Sequence, residues 1–313
     1  MIGLVADVGA TNARFCLCSE DDWLSDPLVL PTAAFTTQEE LLEAVAEELA
    51  IADLDAAFFA VAGPPDGQGS VRLTNTGLVF SEAGSAEVLQ CPVGLVNDFH
   101  AVAAYVPHAT DTIRLGEALP TSGVKAVLGA GTGLGMATVV PNAGSHQILT
   151  GEGGHANLAP GSHLEIELWG ILAAREAHVS RESVLSGPGL VNLYRAVATV
   201  WGSQPEELTA AQVSARGMTL EDPVCHQTLD VFCGLLGAAA GDLALTVGAT
   251  GGVYLAGGIV PQLAEFVRTS GLRRRFDEKG PMSHYVKAIS LEIITDQQPG
   301  LEGARICLNA PSL

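Results

Sequence analysis

The 313 residues are 48% hydrophobic and only 16% charged, a balance that predicts extensive burial and excludes a disordered chain. Acids number 35 against 15 bases, and the formal net charge of −20 repels nucleic acid and anionic membrane, so neither is expected as a partner. The length predicts two domains or lobes, no apolar run of membrane-spanning length is expected, and the opening residues lack the regions of a signal peptide, which places the chain in the cytoplasm.

Residues 2–8 are apolar and β-branched, break at Gly9-Ala10-Thr11-Asn12 and resume over 13–18, which predicts two strands joined by a tight turn. A helix is expected over 37–50, where apolar residues fall at helical spacing with acids opposite. A buried strand over 57–62 ends at Gly63-Pro64-Pro65, and a short one over 93–96 delivers Asn97-Asp98 at its carboxyl end, before a helix over 99–106. A second strand–glycine turn–strand spans 126–140, and aligning Gly131 with Gly9 makes it a repeat of pattern, which predicts duplicated lobes. The middle is largely helical, over 164–177, 190–201, near Ala210 and over 223–247. A buried strand over 252–256 ends in Gly257-Gly258 and runs into a helix from Pro261, and a last strand over 288–294 precedes a short closing helix from Pro299. The alternation of strands and helices predicts α/β layers.

The six cysteines, Cys16, Cys18, Cys91, Cys225, Cys233 and Cys307, form no CxxC pair, so reduced and mostly buried thiols are expected in place of zinc or disulfides.

Several segments carry chemistry. In Asp7-Val8-Gly9-Ala10-Thr11-Asn12, small residues let backbone N–H groups converge on a phosphate, and Asp7 suits magnesium held through water; an ordinary hairpin fits equally. Gly129-Ala130-Gly131-Thr132-Gly133-Leu134-Gly135 is followed by a strand and no Lys, so it is neither a dinucleotide fingerprint nor a Walker A loop. A second phosphate turn fits it, as does a hairpin that needs glycine flexibility. Gly257-Gly258 admits an adenine or ribose, or close helix–strand packing. A hydroxyl is a poor nucleophile and needs a carboxylate to take its proton; Asp98 suits that role and Asn97 suits a neighbouring hydroxyl, while a helix N-cap is the alternative for Asp98. Glu152-Gly153-Gly154-His155 offers the planar polar groups that sugars bind, and Glu182 either adds a hydroxyl contact or is a solvated acid.

Taken in order, these segments resemble the bacterial glucokinase family of the hexokinase-like, actin-like ATPases. The match runs through Asp7 to Arg14, Val96-Asn97-Asp98-Phe99, the 129–135 turn, Gly151 to His155, Glu182 with Leu185-Ser186-Gly187, Gly257-Gly258-Ile259, Phe276 with Lys279-Gly280, and Gly300 to Ala304. The resemblance implies a two-lobed actin-like (ribonuclease H-like) α/β fold with a central cleft, a small lobe of 1–108 plus 291–313 and a large lobe of 109–290. It implies phosphorylation of the glucose 6-hydroxyl by ATP, with Asp98 as the base and Asn97, Asp98, Glu152, His155 and Glu182 on the sugar. Ala6, Asp7, Val8, Gly9, Ala10 and Thr11 with Gly131, Thr132 and Gly133 would face the phosphates, and Gly257 and Gly258 the adenosine. Mg²⁺ would accompany ATP with no direct protein ligand, Asp7 reaching it through water, and a homodimer is expected.

The chain departs from the family at Ala10, where a second Gly is common, which is tolerable if its φ is negative. At Thr74-Asn75-Thr76, relatives often continue with His and Trp after the Asn, which bears on selectivity among hexoses. Rival readings are a kinase for another hexose, a polyphosphate-dependent kinase, a carboxylate kinase and a non-catalytic sugar sensor. The acidic surface disfavours polyphosphate, the carboxylates Glu152 and Glu182 suit neutral hydroxyls, and Asp98 favours an enzyme.

Overall fold

The computed structural model describes residues 1–73 and 77–310, so the departure at Thr74-Asn75-Thr76 lies outside the described residues. The chain divides into two units, Met1–Ala109 closed by the segment from Asp296, and Thr110–Thr295.

In the first unit β1 (Gly3–Val8) turns into antiparallel β2 (Asn12–Cys18), which carries β3 (Leu28–Pro31) on its far side. Then follow α1 (Gln38–Glu48), β4 (Ala56–Val61), the small hairpin β5 (Ser70–Arg72) and β6 (Val79–Ser81), α2 (Glu82–Leu89), β7 (Val93–Asn97) and α3 (Asp98–Tyr105). The sheet order is β3-β2-β1-β4-β7, with β1, β4 and β7 parallel, so their carboxyl ends share one edge. The period of two along β1 sends Leu4, Ala6 and Val8 into one core with Phe15, Phe59 and Phe80, and Val5 into another with Cys16, Ala60 and Ala101. A strand buried on both faces reads as a continuous apolar run, which is how β1 reads in the sequence.

The second unit repeats the plan. Its elements are β8 (Thr112–Arg114), β9 (Lys125–Ala130), β10 (Leu134–Asn142), β11 (Ser145–Gly151), α4 (His163–Ala173), α5 (Gly187–Val200), α6 (Ala210–Gly217), α7 (Pro223–Val247), β12 (Gly252–Ala256), α8 (Ala264–Thr269), α9 (Leu272–Asp277), α10 (Ser283–Lys287) and β13 (Leu291–Ile294). The order β11-β10-β9-β12-β13-β8 reproduces the antiparallel triplet and parallel triplet of the first sheet and adds β8 at the edge. The Gly9 and Gly131 turns join the equivalent strand pairs, so the internal pattern seen in the sequence is a repeat of topology.

Two expectations need correction. The return to the first unit begins at Asp296, not at 291, because β13 is wholly buried and hydrogen-bonds between β12 and β8 in the second unit's sheet. The helix α7 is long and apolar enough by composition to cross a membrane, contrary to the sequence reading, yet Leu229, Phe232, Leu236, Ala240 and Ala244 along it are buried in the second unit's core. The chain ends in α11 (Pro299–Asn309), whose Leu301 and Ala304 pack with Val5, Ala60 and Ala101 of the first unit. All six cysteines are unpaired, and all but Cys307 are buried.

Candidate active site

In the first unit the groups of interest gather at the carboxyl edge of the parallel strands. The turn after β1 is closed by the Gly9 N–H donating to the Asn12 carbonyl at 3.0 Å. Thr32, fully buried, braces it: its hydroxyl donates to the Gly9 carbonyl at 2.9 Å and its N–H to the Thr11 carbonyl at 3.1 Å. Among the described non-glycine residues, positive φ occurs at Ala50, Gln90 and Ala143, so Ala10 sits in ordinary backbone and the departure there is tolerated. The side chains of Ala6 and Val8 point into the core, which leaves only their backbone for a ligand.

Asp7 is the second-last residue of this strand. Burial raises its carboxyl pKa above the ordinary value, opposed in part by Arg14 across the β1–β2 pair. Its carboxylate lies against the first turn of α11, where a Cβ on Gly300 would come 2.7 Å from Oδ2. Backbone N–H groups of a helix N-terminus favour a negative charge at that place.

Two strands away, Asn97 rather than Asp98 caps α3. Asn97 Oδ1 accepts the Phe99 N–H at 2.9 Å while its Nδ2 donates to the Gly63 carbonyl at 3.0 Å, tying β7 to the loop after β4. Asp98 is the first helical residue, and its Oδ1 also accepts the Phe99 N–H at 2.9 Å. Capping alone therefore does not account for Asp98.

In the second unit Gly131, Thr132 and Gly258 line one cavity of about 420 Å³. Its walls are Pro188, Leu190 and Val191 of α5, Ala210 and Ala211 of α6, and Ile259, with Ser214 and Gln262 as polar groups. Ser186 caps α5 by accepting the Gly189 N–H at 3.0 Å, and the Gly187 N–H donates to the Gly131 carbonyl at 2.8 Å, so the helix N-terminus abuts the turn. Gly257 holds φ +88° and a Cβ there would strike the Ala130 backbone, whereas Gly258 has open space around it. The residues Gly131 to Gly133 have no positive φ; what Gly133 supplies is room, since a Cβ would lie 2.6 Å from Glu182 Oε2.

That carboxylate oxygen accepts the Leu134 N–H at 2.7 Å, so Glu182 is no solvated acid. The backbone beside it pairs with the turn bearing Glu152 and His155: the Glu182 N–H donates to the Gly154 carbonyl and the Arg181 N–H to the Ala156 carbonyl, each at 2.9 Å. His178 Nε2 lies 2.8 Å from the His155 carbonyl, which requires the proton on that nitrogen. Glu152 and His155 themselves are exposed.

Sequence reasoning did not find Thr32 or the wall residues of α5 and α6. The start of α5 had a signal in Ser186-Gly187-Pro188, a cap followed by Pro in the first turn, though the helix was expected only from Leu190. Thr32 has none, because its role depends on β3 lying beside the turn.

The chain matches the family described as Glucokinase over residues 4–311. It is 41% identical over 304 residues to a glucokinase of Chromobacterium violaceum, covering 96% of this chain and 87% of the relative. Among solved structures it superposes on a glucokinase from an Antarctic psychrotroph with a TM-score of 0.84 and 36% identity, covering 98% of each chain. A ROK family glucokinase from Streptomyces griseus, solved with glucose and AMPPNP, shares the fold with a TM-score of 0.66 at 18% identity, covering 97% of this chain and 98% of the other.

Proposed function

The chain belongs to the glucokinase family, and from that membership we propose that it carries the γ-phosphoryl group of ATP to the 6-hydroxyl of glucose with Asp98 as the general base. The observation that carries the assignment of Asp98 is its place at the carboxyl end of β7, beside an Asn97 that already caps the helix.

The chemistry then follows from the groups present. As the 6-oxygen attacks phosphorus, Asp98 accepts its proton; the bond from the γ-phosphorus to the bridging oxygen breaks and ADP leaves with that electron pair. Asn97, Glu152, His155 and Glu182 are assigned to the other hydroxyls, since carboxylates and a carboxamide suit neutral donors and orient them. The turn at 9–12 and the turn at 131–133 supply backbone N–H groups to the phosphates, which a chain of net charge −20 needs locally. The apolar cavity beside Gly258 has the size and lining for adenosine, with Ser214 and Gln262 as its polar partners.

Magnesium fits this donor set in its hydrated form. Among the described residues no three metal-ligating side chains cluster, and Asp7 is a single buried carboxylate whose charge a dication would favour. Asp7 would hold the ion through water, and when bound the ion neutralises charge on the phosphates.

ATP as donor and six unpaired thiols fit a cytoplasmic enzyme. A homodimer is the assembly we assign, with exposed Ile166 and Trp169 on α4 as apolar surface to cover; sedimentation of the purified chain tests it.

The deciding experiment is a coupled ADP-release assay with magnesium-ATP against glucose, mannose, fructose and N-acetylglucosamine. Turnover preferring glucose is expected. Sugar binding without turnover on any of the four would replace the kinase with a sensor.

A further inference from the structure

We propose that Glu182 is a positioning residue that couples the two substrates, so that glucose and the nucleotide each bind more tightly when the other is present. This rests on the reading above, in which Glu182 meets a sugar hydroxyl and the 131–133 turn meets phosphate.

Holding a hydroxyl requires one carboxylate oxygen and nothing of the surrounding backbone. Glu182 is built into far more. Its Oε2 accepts the N–H of Leu134, the residue immediately after the glycine turn, at 2.7 Å, the length of a charge-assisted bond. Leu134 pairs with Ala130 at the mouth of that turn, whose own closure is the Gly131 N–H donating to the Gly133 carbonyl at 2.8 Å. Among the described residues nothing donates to Oε1, which leaves that oxygen for the sugar.

The backbone of Glu182 is tied on both sides. Its N–H holds the Gly154 carbonyl at 2.9 Å, and Gly154 in turn packs so closely on the Leu134 carbonyl that a Cβ would collide with it. Its carbonyl accepts the Ser186 hydroxyl at 2.9 Å, and the next residue, Gly187, donates to the Gly131 carbonyl at 2.8 Å. The segment 182–187 therefore touches both ends of the phosphate turn and the turn that bears Glu152 and His155.

A sugar hydroxyl donating to Oε1 restricts the carboxylate and, through Oε2, the Leu134 N–H. A phosphate ordering the 131–133 turn restricts the same carboxylate from the other side. Whichever ligand arrives second finds the ordering already done, which is positive coupling, and linkage makes it equal in both directions.

The test is calorimetric titration of the full chain with glucose, alone and at saturating magnesium and a non-hydrolysable ATP analogue, and the reciprocal titration. In the wild type the nucleotide should tighten glucose by about 5- to 150-fold, with the same factor in reverse. Glu182→Ala removes the link. Gly133→Ala keeps the carboxylate but places a Cβ where Oε2 sits, in backbone that Ala adopts without strain. Both should bring the factor to about 1. Glu182→Gln weakens glucose yet retains most of the factor, because its amide oxygen still accepts from Leu134. A residue with a merely structural role would change both dissociation constants and the melting temperature but leave the factor intact. Independent binding of both ligands to the wild type, or a wild-type factor in the two alanine variants, would overturn the coupling. A wild type that binds neither ligand would overturn the functional reading and this inference with it.

Discussion

Gly300 and Asp7 meet where the last helix touches the end of the first strand, and a side chain at 300 would stand 2.7 Å from the Asp7 carboxylate. The first turn of α11 can approach a buried carboxylate only because its residue there has no Cβ. Gly300→Ala is therefore expected to destabilise the protein by about 1–3 kcal/mol through overpacking. It should also raise KM for magnesium-ATP more than KM for glucose, because the group it displaces is assigned to the phosphate side. Denaturant unfolding and steady-state kinetics on one preparation check both parts.

Asp98→Asn keeps the shape of the side chain and its place as the first residue of α3. It should lower kcat by ~10²–10⁴ while glucose still binds. Calorimetry beside the rate assay separates the two, and a near-normal kcat would remove Asp98 from the role of base.

The neighbouring glycines after β12 should respond in opposite ways. Gly257→Ala meets both the φ of +88° and the Ala130 backbone, and a loss of more than ~1 kcal/mol of stability is expected. Gly258→Ala has open space and should leave the melting temperature within a degree or so of wild type, while narrowing the cavity it lines and raising KM for ATP. Equal melting temperatures for the two variants would contradict this backbone geometry.

His100 on α3 has its pKa lowered from 6.5 by burial. A depressed histidine favours the neutral form in the folded state, so its contribution to stability is complete above pH 6.5 and is lost as pH falls through the lower folded value. His100→Gln should flatten the melting-temperature profile on the acid side of pH 6.5 relative to wild type, which a series of thermal melts would reveal.

Much of the scaffold was legible. The apolar run of β1 and the polar turn at 9–12 follow from local pattern, because a doubly buried strand and its turn must be written in adjacent residues. Strand β7, although a half-buried edge strand, is announced by the apolar residues Val93, Leu95 and Val96 before Asn97-Asp98. Other edge elements were not legible. Strand β11 was missed since an exposed edge needs no apolar run: it is exposed at most of its positions and held by its pairing with β10. Strand β3 is apolar but only four residues long, and its pairing with β2 marks it as a strand. The expected strand over 288–294 begins only at Leu291, because α10 extends to Lys287 just before it.

By itself the sequence determined the repeated strand–turn–strand units, the α/β layering and the candidate residues Asp7, Asn97, Asp98, Glu152, His155 and Glu182, all carried by local pattern or by ordered motifs. Only the tertiary structure decided what those residues touch. Asn97 takes the cap and Asp98 does not need to; Thr32 braces the Gly9 turn from just beyond β3, a strand the sequence did not announce; Glu182 reaches Leu134 from 48 residues away. Such contacts depend on which strands lie side by side and on the room left where a Cβ is missing. Both are properties of packing between distant segments, and no window of neighbouring residues encodes them.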